Sequence, residues 1–229
     1  MKVCFRNSWS ALLILAGLQA APADETRTLA VLYFDNNSLT KQKEMDPLRK
    51  GLADQLITEL GKISQLKVVE RNQLQKLLEE MQLAQAGMID SGTAQEVGKM
   101  LGAQHLLFGS FMLMLDNTMR IDVRIVEVES ALTLKAEEVS GKPRDLYKLV
   151  TSLTAKIAKD LNLKLSRADA MKLAAVDNTS FDAALYYAKG LEYEDAKDFA
   201  NAARMYEAAL KKNSKFERAR ERLSNVKAK

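Results

Sequence analysis

Leu66 to Asp90, LKVVERNQLQKLLEEMQLAQAGMID, holds a strand, a helix and a stop in 25 residues. Leu66, Val68 and Val69 are strand formers around Lys67. Asn72 is placed to cap a helix, and Gln75 three residues on completes a capping-box pattern. Leu74, Leu77, Leu78 and Met81 then share one helical face. Gly87 supplies a stop, since glycine enters the left-handed region without a Cβ penalty. Between strand and cap stand Glu70 and Arg71. Two readings are open for them: a salt bridge that locks the junction, which is the reading adopted, or a contact offered to a partner.

Before this unit, TLAVLYF at 28–34 is apolar on both faces, as in a strand covered on two sides. Asp35 to Ser38 are turn formers and Thr40 to Glu44 a polar loop. Asp46-Pro47 then opens a helix, with Leu48, Leu52, Leu56 and Leu60 every four residues and Gly61 at its end. After it, Thr93 and Glu96 form another capping box, for a helix with Ala94, Val97 and Leu101 inward that stops at Gly102. QHLLFGSFMLML at 104–115 is a second two-sided strand. Thr118 to Ile125 alternates strictly, with Met119, Ile121, Val123 and Ile125 on the apolar side. Beyond the Glu129-Ser130 turn, Leu132, Leu134 and Ala136 oppose Thr133, Lys135 and Glu137. The expectation is an antiparallel hairpin with one buried and one wet face. Pro143 opens a long helix with Leu146, Leu149, Val150, Leu153, Ile157 and Leu161 inward. The order β-α-β-α-α-β-β-β-α predicts an α/β (α+β) domain, a mixed sheet flanked by helices.

From residue 142 onward no strand pattern is left. Lys164 to Val176 reads as a connecting helix and Asp177 to Ser180 as a linker, with Thr179 or Ser180 capping the next helix. Helices are expected near 181–195, 198–212 and 215–227. Four parts result: a signal peptide over 1–23, a sheet domain over 24–165, a linker with its helix over 166–180 and a helical module over 181–229.

The start carries the marks of a secretory signal: Lys2 and Arg6, an apolar run from Trp9 to Leu18, and Ala21-Pro22-Ala23 as a cleavage site. Cys4 is the single cysteine and precedes the apolar run, so neither a lipid anchor nor a disulfide is expected in the mature chain. The full chain of 229 residues has 28% charged and 47% hydrophobic residues and a formal charge of +4. Lys2 and Arg6 hold two of those charges, and the remaining +2 makes no case for nucleic acid.

No pattern of catalytic or metal-binding residues stands out. His105 is the single histidine, flanked by apolar residues in a strand, and reads as a packed residue. No glycine-rich phosphate loop is present. Ser64 to Lys67 fits S-x-x-K without its companion motifs. Glu79-Glu80 and Glu137-Glu138 point in diverging directions and read as solvated. The expectation is therefore no enzyme: no catalytic residue, cofactor, metal or small-molecule substrate. The alternating strands of 118–139 have the size of membrane-barrel strands, yet no aromatic girdle flanks them, and ordinary half-buried strands are expected.

LAVLYFDNNS at 29–38, the run over 51–90 and AQEVGKMLGAQHLLFGSF at 94–111 resemble the CsgG-type domain. That resemblance implies a bacterial envelope protein with a mixed sheet flanked by helices. Its relatives include the curli secretion pore and LpoB-type activators of peptidoglycan synthases, none of which needs a catalytic site. The chain departs from the pore-forming member by lacking the lipidation cysteine and two separate long hairpins. Tyr186, Gly190, Tyr193, Phe199, Ala202, Tyr206 and Ala209 are similar in spacing to a tetratricopeptide repeat, in which small residues let two helices approach and aromatics fill between them. Lys189, Lys197 and Ser214 depart from its usual residues. One repeat does not bury its own face, so it should pack on the sheet domain, on the last helix or on another subunit. Glu70, Arg71, Tyr186, Gly190, Tyr193, Phe199, Ala202 and Tyr206 are thus the candidate structural or partner contacts. The expected role is a non-enzymatic periplasmic protein acting in envelope assembly or transport by binding envelope proteins. A secretion-pore subunit and a contact activator of a peptidoglycan synthase are the alternatives. Self-association and peripheral contact with the outer membrane stay open.

Overall fold

The computed structural model describes residues 26–81, 91–175 and 179–229. The signal-like segment, the Gly87 stop and part of the expected linker lie outside these residues. The elements are β1 (Arg27–Val31), β2 (Asp35–Asn36), α1 (Gln42–Met45), α2 (Leu48–Leu60), β3 (Leu66–Val68), α3 (Arg71–Glu80) and α4 (Ser91–Met100). There follow β4 (His105–Leu113), β5 (Met119–Glu127), β6 (Thr133–Gly141), a 3₁₀ turn at Pro143–Asp145, and α5 (Leu146–Asp160). α6 (Arg167–Ala174), α7 (Phe181–Asp195), α8 (Phe199–Lys212) and α9 (Glu217–Lys227) complete the described chain. The fold is α+β with one open mixed sheet of six strands in the order β3-β1-β4-β5-β6, and β2 paired beside β4.

β1 runs parallel to β3 and β4, whereas β4, β5 and β6 form an antiparallel meander. Because strand side chains alternate, each face collects its own set. Leu29, Val31, Leu107, Phe111, Ile121, Val123 and Ile125 face one side and merge with α2, α5 and the helices after residue 180 into one apolar core. Ala30, Leu32 and Leu106 face the other and are covered by α3 and α4 through Leu74, Leu78 and Val97. The two-sided apolar reading of the first strand is explained by this double cover.

Several local expectations are corrected. α3 starts at Arg71, and Glu70 takes the N-cap position without a side-chain capping bond. Its backbone carbonyl accepts from the Gln73 and Leu74 amides. Asn72 is therefore inside the helix, and Gln75 accepts from the Tyr33 hydroxyl at 2.6 Å instead of closing a capping box. Pro47 is the N-cap of α2 and Asp46 the residue ending α1, which occupies what reads as a polar loop. α4 begins at Ser91, ahead of the expected Thr93 cap.

The larger correction concerns β6. The alternation predicts Leu132, Leu134 and Ala136 inward; all three are exposed, Leu132 at 64% and Leu134 at 40%. Register puts Lys135 beside Ile125, Glu137 beside Val123 and Val139 beside Ile121, so the other parity faces the core side. An irregularity between Ile125 and Val126 inserts Leu134 as an extra residue and flips the pattern. The strand also lies at the sheet edge, where only Val139 is buried.

The C-terminal helices match the expected spans closely. Ser166 and Asp169 form a capping box at the start of α6, and the Ser180 hydroxyl accepts from the Ala183 amide at the start of α7. α7 and α8 form an antiparallel-helix contact completed by α9. α7 also lies on α2, where Gly51 leaves room: a Cβ there would stand 2.7 Å from the Ala188 Cβ. Among the described residues, no helix is long and apolar enough to cross a membrane.

Candidate interaction surface

Arg71 is drawn away from its neighbour Glu70. It is buried, 3% exposed in its side chain, and its guanidinium meets Asp195 of α7 at 2.9 Å and Asp54 of α2 at 3.7 Å. The junction lock expected within one dipeptide is thus a long-range clamp. Asp195 also receives Lys50 at 2.6 Å. Asp54 receives Arg218 at 3.0 Å and Arg222 at 3.6 Å from α9, and the Tyr187 hydroxyl at 2.8 Å. Glu194 accepts from the Tyr206 hydroxyl at 2.7 Å and faces Arg222 at 3.5 Å. Five helices, α2, α3, α7, α8 and α9, meet on these groups.

Burial sets the protonation behaviour here. It would by itself lower the Arg71 guanidinium, but Asp195, Tyr33 and Asp54 together hold it raised and permanently charged. Burial raises the Tyr33 phenol, against the opposing pull of Arg71. Burial and the charge of Asp54 push the Tyr187 phenol up, and burial and Glu194 do the same for Tyr206. The clamp therefore keeps its phenols neutral as donors, which is the state their hydrogen bonds require.

The remaining candidate residues fall around this clamp. Gly190 of α7 receives the Tyr206 ring of α8: a Cβ there would lie 2.4 Å from the ring. Tyr206 and Ala202 are fully buried. Tyr186 is half-buried under the Lys189 ammonium, 5.9 Å from the ring centre, and Phe199 lies under Lys229 at 4.9 Å. Tyr193 is exposed. Glu70 is also exposed. Gly190, Ala202 and Tyr206 thus converge on one packing contact, whereas Glu70 and Tyr193 point outward.

Sequence reading overlooked the open half of the α3/α4 face. Among the described residues, Arg120, Asp122 and Arg124 on that side of β5 stay partly or fully exposed. A groove of about 470 Å³ is lined by Asp35, Phe108, Ser110, Arg120, Asp122, Arg124, Ala136 and Glu138 among others. Arg120 holds Asp122 through Nη2 at 2.7 Å and Nε at 2.9 Å, and also contacts Glu138. These three are 40–57% exposed. Partial burial raises the Asp35 carboxyl, opposed by Arg49. The signal that could have shown this face is the polar parity of β5: Arg120, Asp122 and Arg124 mark the side left open among the described residues.

His105 is buried, with Nδ1 lacking a hydrogen-bond partner. It lines a separate hollow with Arg27, Lys99, Gln104, Glu127 and Glu129. Burial and nearby Arg27 lower its pKa, with Glu127 opposing. Among the described residues, no group of three or more His, Cys, Asp or Glu is placed to hold a metal.

Residues 13–113 match the family model described as curli production assembly/transport component CsgG. A search of curated proteins gave no match. Among solved structures, the chain is similar to the LpoB C-terminal domain from Escherichia coli, at 18% identity over 55% of this chain and 89% of that one, with a TM-score of 0.37. It is also similar to lipoprotein GNA1162 from Neisseria meningitidis, at 12% identity over 58% and 99%, with a TM-score of 0.39. A third is the PelC dodecamer from Paraburkholderia phytofirmans, at 14% identity over 63% and 93%, with a TM-score of 0.38. Over residues 13–113 this chain is thus similar to the CsgG family.

Proposed function

We propose that this is a non-enzymatic periplasmic protein that acts in cell-envelope assembly or transport by binding envelope proteins. The observation that carries this reading is a groove on the sheet, open among the described residues, in which Phe108 and Ala136 adjoin the Arg120, Asp122 and Glu138 ion pairs. Apolar area ringed by polar groups is the usual make-up of a protein-binding patch. The CsgG-type match over residues 13–113 supports placing it at the envelope. The signal-like start supports export and cleavage near Ala23. The spacing in α7 and α8 and the seat of Tyr206 on Gly190 support a tetratricopeptide-like module, here packed against α2 as a brace.

Site-specific photo-crosslinking in intact cells tests this. A crosslinker at Phe108 or Arg124 should capture a discrete envelope protein, and one at Arg204 on α8 should not. Capture that is equal at all three sites, or none at Phe108 and Arg124, would remove the open face as the binding surface. A ladder of self-crosslinked rings in the outer-membrane fraction would favour a secretion-pore subunit. A captured peptidoglycan synthase whose turnover rises with the pure protein would specify the contact-activator form.

A further inference from the structure

The edge of the sheet, where the groove ends at Ala136 and Glu138, carries a further inference. β6 has nine residues and, among the described strands, pairs only with β5. The Lys156 ammonium donates to the Glu138 carbonyl at 2.8 Å from the side. That carbonyl therefore points away from β5, and by antiparallel alternation so do the backbone groups of Ala136. Ala136 is exposed, although α5 reaches its neighbour: Lys156 meets the Glu137 carboxylate at 2.9 Å. At the far end, α5 packs Leu149 against Gly141 and closes the edge.

An exposed strand edge is a template for another strand. The charge pattern of β6 names which one. A second copy pairing antiparallel about a two-fold axis at Ala136 sets Lys135 opposite Glu137 of its mate, twice, and there adds a second cation to the one Glu137 already meets in its own chain, Lys156 at 2.9 Å. An axis at Lys135, Glu137 or Glu138 would set a like charge against itself, which is destabilising. Positions beyond Glu138 run into α5. We propose that two copies of this chain associate through β6, antiparallel, with the axis at Ala136, joining two sheets into one. At the axis the two Ala136 residues exchange a pair of backbone hydrogen bonds. The Leu134 irregularity bends the strand on one side and α5 closes the other, so the contact is short. A contact of that size makes a weak, concentration-dependent dimer.

The test uses the full chain in a Cys4→Ser background. Directly opposed residues of an antiparallel pair are close enough for a disulfide, and residues four apart along the strand are not. Mild oxidation should link Ala136→Cys to itself and leave Glu138→Cys unlinked. Sedimentation should show a monomer–dimer equilibrium. Lys135→Glu should weaken it by about tenfold, from two repulsive pairs. Lys135→Glu/Glu137→Lys should restore it, as should mixing the two single variants. These side chains are solvent-facing or half-buried, and circular dichroism will verify folding. Equal linking at 136 and 138, a monomer at every concentration, or indifference to the charge swaps would overturn the proposal. A β6 edge that is occupied by a different protein and never by this chain would overturn it as well.

Discussion

Arg71 and Arg120 each hold two carboxylates, and they do opposite work. Arg71 joins Asp195 and Asp54 with all three side chains 3–8% exposed. Arg120 joins Asp122 and Glu138 on an open surface, at 40–57% exposure. The chemistry is the same; the solvent is not. A buried charge that loses its partner stays desolvated and uncompensated, whereas an exposed one recovers water. So the Arg71 cluster fixes α7 and α9 to α2 and α3, while the Arg120 cluster costs little to rearrange and is available to a partner.

The comparison breaks most directly at Asp54. Asp54→Ala leaves Arg71, Arg218, Arg222 and the Tyr187 hydroxyl without their common acceptor. The expected loss is about 3–5 kcal/mol in denaturant unfolding, with amide protection lost first in α7 to α9. A loss under about 1 kcal/mol would mean that burial does not separate the two clusters. Gly190→Ala comes next. Its methyl would press on the Tyr206 ring, whose hydroxyl is held by Glu194, so an overpacking cost of about 1–3 kcal/mol is expected by thermal or denaturant unfolding.

His105 sharpens the same point with a group that titrates. Its folded pKa lies below the unfolded value, because burial and Arg27 disfavour the cation. Stability is then fully present above the unfolded pKa of about 6.5 and falls as pH drops from there through the folded pKa. Comparing His105→Gln with the parent from about pH 7.5 to about pH 4.5, a range that brackets that value, should show a flatter profile in the variant over that window. The smallest effect is expected for Arg120→Ala, a shift in unfolding midpoint smaller than that of the other variants and shrinking further with added salt. A larger loss would place the Arg120 cluster among the structural contacts and remove it from the binding face.

Much of the fold is legible in the chain, for definite reasons. Helix faces such as Leu146 to Leu161 and the alternation of Met119 to Ile125 are local periodicities, and both hold in the fold. Small residues at Gly190 and Ala202 foretell where two helices meet. Where local reading fails, a partner distant in sequence decides. Arg71 lies beside Glu70 in the chain, but Asp195 and Asp54 offer it a buried seat, which local pairing does not. The face of β6 is misread because one extra residue inverts a period of two.

The sequence by itself determined the types and order of the main elements, apart from β2 and α1, which it read as turn and loop, and the two-sided burial of β1 and of the first residues of β4, since these follow from side-chain period and backbone preference along a few residues. It also determined that Leu66 to Met81 is a strand handing over to an amphipathic helix. Only the tertiary structure decided which carboxylates Arg71 meets, that the C-terminal helices brace α2, and which part of the sheet stays open among the described residues. Those outcomes depend on where helices stop over a sheet and on charges far apart in the chain, such as Arg71 and Asp195, and no local pattern encodes either.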